Sequence, residues 1–467
     1  MILEQYYLEC LSHASYLIGD EQTKRAIVVD PRRDVTDYID EAERRGLRIE
    51  GVINTHFHAD FVSGHLELVA ATGAWIGFGE AADTDYPIRR LQHGEHISLG
   101  NVDIEILTTP GHTWESISLL LRDGADTEPT AVLTGDSLFI GDVGRPDLAN
   151  LGTGTNTDLA RAMYKTIHHT LLALPDHVQV MPAHGAGSSC GKNMSTDLVS
   201  TIGQQRLTNP SVQPMAEADF VDLVTTGQPA IPQYFSTDAD LNRRNRAVYD
   251  RSRQLRELSA EQMVRGVQDG TRVIDTRSPE EFAAAHLQGA VNVGLEGRFA
   301  ETCGMVTHVD EPIILVTRPG DEAEAAMRLA RIGYDNVQGY FNTLTTDRVT
   351  PFPSPLIGLL EQTERLTVAE LATALQDGRI TLLDVRNQGE RDSGYIAGSL
   401  HIPLPELAKR HNTLPQGRPL VVHCRSGWRS SVAASLLRAN GYEGTTDLLG
   451  GYNAWQETET PVCDGAR

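Results

Sequence analysis

Residues Val273–Phe282 (VIDTRSPEEF) return in altered form as Leu382–Arg391 (LLDVRNQGER), 109 positions further along. Asp275 falls on Asp384, Arg277 on Arg386, Glu281 on Glu390, His286 on Tyr395 and Gly289 on Gly398. Beyond them Ile313–Thr317 (IILVT) aligns with Leu420–Cys424 (LVVHC), and IGYDNV with NGYEGT. A repeat of about 100 residues means that one domain is made twice, so the C-terminal half must hold two copies of one fold. In each copy short apolar strands alternate with helical stretches, Asp321–Ile332 in the first and Ser430–Asn440 in the second. That alternation marks a small α/β domain with a parallel sheet. A chain of 467 residues has the length for roughly three domains. The remaining one lies ahead of the repeat.

That first part, residues 1–245, reads differently. Apolar runs (AIVVD, GVINT, VDIEIL, AVLTGD, VQVMPAH) end at His, Asp or Gly, and a helix is expected over His65–Thr72. Polar residues gathered where strands end are the habit of a layered α/β enzyme, whose site is built from loops at strand ends. The segment Asn209–Arg253 is rich in Pro and mixed charge and reads as a joint, or equally as a packed extension, since FVDLV within it is apolar enough to bury. A second joint, Thr345–Gly358, carries three prolines in five residues and favours an extended connector.

Four groups of potential metal ligands follow apolar runs: Thr55-His56-Phe57-His58-Ala59-Asp60-Phe61, then Gly111-His112-Thr113, Gly135-Asp136 and Ala183-His184-Gly185. Neutral imidazole and carboxylate suit divalent metals, and three such ligands with open positions make a catalytic site. THxHxD, GHT, GD and AHG in this order resemble the metallo-β-lactamase fold, a four-layer αββα sandwich of metal-dependent enzymes, over about the first 245 residues. In dinuclear hydrolases of that superfamily such as glyoxalase II the motif is THxHxDH, and its last His holds a second metal; here that place is Phe61. The variant THxHAD, with FIGDVGRPDL at Phe139–Leu148, resembles the persulfide dioxygenases. The resemblance implies mononuclear non-haem Fe(II) on His56, His112 and Asp136, with His58, Asp60 and His184 orienting ligands and waters around it. It also places Gly141, Arg145 and Asp147 in the wall beside the metal, and Arg206 where the thiol cosubstrate is held. Cys190 is read either as a small buried residue or as a thiol at the mouth of the metal pocket.

In the second copy, the buried strand before Cys424 delivers the thiol into the loop Cys424-Arg425-Ser426-Gly427-Trp428-Arg429, with a helix starting at once. Backbone N–H groups converging on the sulfur, with Arg425 and Arg429 near, favour a nucleophilic thiolate. CRSGWRS resembles the active-site loop of the rhodanese (sulfurtransferase) family, supported by Asp384-Val-Arg386, Gly398-Ser-Leu-His401-Ile-Pro403 and Gly450-Gly-Tyr-Asn-Ala-Trp455. The six-residue loop suits a sulfane sulfur. The first copy reads Val316-Thr-Arg-Pro-Gly-Asp321 at that place. It has no thiol, Pro319 removes an N–H from the cradle, and Cys303 lies outside the loop.

The whole chain thus resembles the persulfide dioxygenase–rhodanese fusion proteins. Expected domains are 1–245 (metallo-β-lactamase-like), 255–350 (silent rhodanese-like) and 362–463 (active rhodanese). The resemblance implies oxidation of a low-molecular-weight thiol persulfide, such as glutathione persulfide, by O2 to sulfite and thiol. Cys424 would then pass sulfane sulfur among persulfide, sulfite and thiosulfate. Two alternatives are a glyoxalase II-type thioester hydrolase with an appended sulfurtransferase, and a sulfur-carrier or regulatory scaffold with an inert metal domain. The net charge of -23 repels phosphate backbones and excludes nucleic acid as the main partner. Five scattered cysteines fit a reducing compartment, and neither a secretory signal in Met1–Cys10 nor a membrane-length apolar run is present, so a cytoplasmic location is expected. The sequence leaves a homo-oligomer open.

Overall fold

The computed structural model describes residues 1–148, 155–250, 254–343, 352–458 and the backbone of 462–463. The chain divides into two compact units, Met1–Ile231 with Phe235–Asp250, and Pro232–Tyr234 with Arg251–Arg467. The start of the proline-rich joint expected at Thr345, up to Pro351, lies outside the described residues; Ser354–Leu359 after it forms a 3-10 turn.

The first unit is built on two six-stranded sheets. In one, Ile2–Leu8, His13–Gly19 and Arg25–Val29 pair antiparallel, and Arg48–Ile53, Trp75–Gly79 and Arg89–Leu91 continue it in parallel. In the other, His96–Ser98, Val102–Thr108, Ile117–Asp123 and Ala131–Gly135 form an antiparallel meander, with Gln179–Pro182 added in parallel and Ser200–Thr201 antiparallel at the edge. Alternate residues of each strand point to opposite faces. Ile18, Ile27, Val29 and Ile53 therefore meet Ile104, Ile106, Leu119 and Leu133 between the sheets. Their neighbours Val28 and Val52 face Tyr38, Ala42 and Leu68 of the helices Thr36–Arg45 and His65–Thr72 on one outside. Leu120, Val132 and Val180 face Met163 and Phe220 of the helices Asn156–Lys165 and Glu217–Thr225 on the other. The result is an αββα sandwich. Helix, sheet, sheet and helix follow directly from strands apolar on both faces.

The segment read as either joint or extension is the latter. Phe220 and Val224 of FVDLV are buried, and the helix Phe235–Arg243 belongs to the first unit.

In the second unit the repeat becomes two four-stranded parallel sheets with the same strand order. The first copy orders Val291–Asn292, Arg272–Asp275, Ile313–Thr317 and Val337–Asn342; the second orders Leu400–His401, Thr381–Asp384, Leu420–His423 and Thr446–Asp447. The matched residues have matched duties. Arg277 grips Asp275 (2.6 Å) and Arg386 grips Asp384 (2.7 Å), buried in both copies. Glu281 and Glu390 close capping boxes with Ser278 and Asn387 at the next helix. Glu281 also binds Arg318 and Glu390 binds Arg429, the arginine of each copy's later loop. No described helix is long and apolar enough to cross a membrane.

Candidate functional site

The four ligand groups converge because each follows the C-terminal end of a strand in the sandwich. Nitrogens of His56 and His112 and an Asp136 oxygen lie within 4.8 Å of one another, all buried. His56 Nε2 is 3.8 Å and His112 Nε2 3.7 Å from Asp136 Oδ2.

Hydrogen bonds behind these groups decide which atoms face inward. The Thr55 hydroxyl donates to Asp30 Oδ2 (2.8 Å), so it accepts from His56 Nδ1 (3.0 Å) and leaves Nε2 with its lone pair. The Arg145 carbonyl can only accept, so His112 Nδ1–H donates to it (2.8 Å) and the Nε2 lone pair again points inward. Asp136 Oδ1 accepts from His184 Nδ1 (2.7 Å), leaving Oδ2 for the cluster. His56 Nε2 and Asp136 Oδ2 are buried without a hydrogen-bond partner. Buried polar atoms are costly when unpaired. Two imidazole lone pairs and a carboxylate oxygen converging there fit a metal cation.

The electrostatics agree with that donor set. Burial, then the neighbouring His58, pushes His56 well below its ordinary value and keeps it neutral. Burial alone would raise Asp136, but His184 and His56 outweigh it and hold it ionised. His184 sits between two carboxylates, Asp136 and Asp60 (2.8 Å on Nε2), which overcome burial and favour its protonated form.

Each further residue singled out from the sequence has a definite place. His58 donates through Nε2 to Asp30 Oδ1 (2.9 Å). Asp60, His184 and Cys190 form a second group with ligand atoms within 4.8 Å. Cys190 lies inside the protein rather than at a mouth, 1% exposed, where burial and then Asp60 push its thiol well up. The Arg145 guanidinium is turned away from the cluster onto Asp147, Ser189 O and Pro229 O, and only its carbonyl reaches His112. Gly141 donates its N–H to Gln205 (2.9 Å). Arg206 is partly exposed and engages Asp176 and the carbonyls of Leu172 and Leu174. Phe61 is fully buried, its ring 4.1 Å from that of His13 and 4.4 Å from that of His58.

Three contributors gave no sequence signal. His13 is fully buried, with neither ring nitrogen hydrogen-bonded, beside Phe61. Asn242 donates to the carbonyls of His58 and Phe61 (2.8 Å each) and accepts from Ser63 N–H (2.8 Å). Arg246 pairs with Glu67 at the base of the same loop (2.6 Å).

In the second unit, Cys424 follows the fully buried strand Leu420–His423 and is 1% exposed. Gly427 N–H points at its sulfur (3.2 Å), and the helix Trp428–Ala439 begins at once. Tyr452 and Asn453 donate their N–H groups to the carbonyls of Cys424 (2.7 Å) and Arg425 (3.0 Å), tying down the loop. This close approach needs Gly451, at φ +60°, since a Cβ there would lie 2.6 Å from the Cys424 oxygen. Arg429 is held by both oxygens of Glu390 (2.7 Å each), while Arg425 and Ser426 are exposed. The arrangement places one backbone donor, the Gly427 N–H, and the start of a helix against the thiol.

Comparison with known proteins adds the following. Residues 8–77 match the metallo-beta-lactamase superfamily model, and residues 257–341 and 367–458 match the rhodanese-like domain model. The mitochondrial persulfide dioxygenase ETHE1 of Bos taurus is 26% identical over 214 residues, spanning 45% of this chain and 75% of its own length. A hydroxyacylglutathione hydrolase of Polaromonas sp. is 33% identical over 193 residues, 39% of this chain and 66% of its own. The crystal structure of a metallo-beta-lactamase from Staphylococcus aureus superposes with a TM-score of 0.66 at 33% identity, covering 73% of this chain and 98% of that one.

Proposed function

Because the chain belongs to the metallo-β-lactamase superfamily and carries two rhodanese-like domains, we propose that it is a bifunctional enzyme of persulfide oxidation and sulfur transfer. In this reading residues 1–245 oxidise a low-molecular-weight thiol persulfide, 255–350 form a catalytically silent rhodanese-like copy with no cysteine in its loop, and 362–463 carry the sulfurtransferase. The overall oxidation balances as RSSH + O2 + H2O → RSH + H2SO3. Sulfur transfer balances as Cys424–S–S⁻ + SO3²⁻ → Cys424–S⁻ + S2O3²⁻. Tethering the two sites raises the effective concentration of one product at the other.

His56, His112 and Asp136 would hold mononuclear non-haem Fe(II). When bound there, iron supplies electron exchange with dioxygen at open coordination positions, the chemistry of a two-histidine, one-carboxylate set. The protein's own part is orientation and exclusion. Thr55 and the Arg145 carbonyl fix both imidazole tautomers, and His184 fixes the Asp136 carboxylate. Phe61 fills with a ring the place where a further ligand would stand.

The observation that carries the reading is the convergence of His56, His112 and Asp136 with Phe61 packed beside His58. The likeness to ETHE1 supports it. A second reading, a thioester hydrolase of the glyoxalase II type with an appended sulfurtransferase, is favoured by the Polaromonas hydrolase and by the second ligand group of Asp60, His184 and Cys190. Metal analysis with an oxygen electrode decides between them. One iron per chain, with oxygen uptake on adding glutathione persulfide that is lost in His112→Ala, is expected. Two zincs per chain with S-lactoylglutathione hydrolysis and no oxygen uptake would overturn the proposal. Metal-free protein that takes up no oxygen under iron loading would leave a sulfur-carrier scaffold.

A further inference from the structure

The first copy reaches the surroundings of the Cys424 loop through two polar contacts, one on the helix that follows the loop and one through an arginine bound to it. At the first contact, Asn292 sits on the edge strand Val291–Asn292 of the first copy's sheet, 1% exposed. Its backbone N–H donates to Ser435 Oγ (2.9 Å) and its side-chain oxygen accepts from Ser431 Oγ (2.8 Å). Its Nδ2 donates to the carbonyls of Asp275 (3.1 Å) and Arg277 (2.9 Å) in its own copy. Ser431 and Ser435 are one turn apart on one face of the helix Trp428–Ala439. The helix that follows the Cys424 loop is therefore fastened to the other copy's sheet.

The second contact runs through Arg365, whose side chain is 9% exposed. Nη1 binds Glu280 of the first copy (2.8 Å), Nε and Nη2 bind Asp447 (2.9 Å each), and Nη2 donates to the Gly427 carbonyl (3.3 Å). Asp447 in turn accepts from Ser430 Oγ (3.1 Å), which lies 3.6 Å from the Cys424 sulfur. Gly427 itself has φ +105°, a conformation that its own chain does little to fix. A cavity of about 230 Å³ opens beside it, walled by Ser426, Gly427 and Trp428 from one copy and Pro279 and Glu280 from the other.

We propose that the first, catalytically silent copy is a working half of the sulfur-transfer site: Asn292, through the helix, and Glu280, through Arg365, are positioning residues that keep the Gly427 N–H on the Cys424 sulfur. A mere spacer would need only apolar contact. Here the backbone N–H and side-chain oxygen of Asn292 are committed to that helix, and a buried guanidinium bridges Glu280 to Asp447 and to the Gly427 carbonyl. The proposal rests on Cys424 being the sulfur-transfer thiol, so its test includes a readout that needs no sulfur transfer.

Full-length protein is compared with Arg365→Gln, Asn292→Ala, Glu280→Ala and Arg365→Lys. One readout is the rate at which iodoacetamide alkylates Cys424, followed by peptide mass; the other is kcat and KM for thiosulfate-to-cyanide sulfur transfer. Arg365→Gln and Asn292→Ala should each slow alkylation and lower kcat about 5-fold, the worth of one hydrogen bond to the loop. KM should move less, and Arg365→Lys should recover part of the loss. Alkylation and kcat at wild-type values in folded Arg365→Gln and Asn292→Ala would overturn the proposal. Glu280 is 71% exposed in its side chain, so Glu280→Ala should fold in any case. If the buried variants do not fold, it decides alone, a loss of about 2-fold supporting the brace and no loss refuting it. If wild-type protein transfers no sulfur yet the alkylation rates fall as stated, the sulfurtransferase reading fails and the brace stands.

Discussion

Single residues set the chemistry at both sites. Phe61 is the clearest case, a fully buried ring among His13, His58 and His184. Histidine at that place would add a donor beside Asp60 and His184. Phe61→His should therefore raise zinc content from about one toward two per chain in zinc-supplied protein, measured by plasma emission on chelator-washed samples. Unchanged content would show that the missing donor does not limit the second metal. The convergence of His56, His112 and Asp136 was legible because each follows closely on an apolar run. The groups that aim them were not. A Thr55 hydroxyl or an Arg145 carbonyl carries no mark in a sequence, since its duty depends on which atom faces it across the fold.

At the scale of elements, the helix His65–Thr72 was readable to its bounds, and its fastening was not. Glu67 on this helix receives Arg33 and Arg246, and Arg246 comes from 179 positions away in a segment whose prolines suggested a joint. Burial would raise the Glu67 carboxyl, yet Arg246 and Arg33 more than offset it and hold it at about 2. Burial, with Arg246 adding to it, pushes the neighbouring His65 down to about 3. Both groups bind fewer protons folded than unfolded, so both stabilise the fold at neutral pH and lose that effect as the pH falls. His65 acts between about pH 6.5 and 3, and Glu67 between about 4.5 and 2. The Glu67 part is worth about 3 kcal/mol. Thermal midpoints should fall below pH 6.5, and a His65→Gln variant should fall less steeply between pH 6.5 and 4.5 than the wild type. A wild-type midpoint that is flat from pH 6.5 to 4.5 would count against this assignment.

Across the whole molecule, the repeat was the most informative sequence feature, because equal strand order follows from equal strand spacing. The two compact units lead to a double dissociation. An iron chelator should stop oxygen uptake and spare thiosulfate sulfur transfer, whereas Cys424→Ser should abolish sulfur transfer, by at least about 1,000-fold for loss of a nucleophile, and leave oxygen uptake intact. Sulfur transfer retained in Cys424→Ser would shift the role to Cys190. The hold of Asn242 on the carbonyls of His58 and Phe61 reaches back 184 and 181 positions. A chain growing from its N-terminus thus displays His56 and His58 on a loop whose clasp has yet to be synthesised. The clasped form of that loop therefore belongs to the interval after residue 242 has left the ribosome.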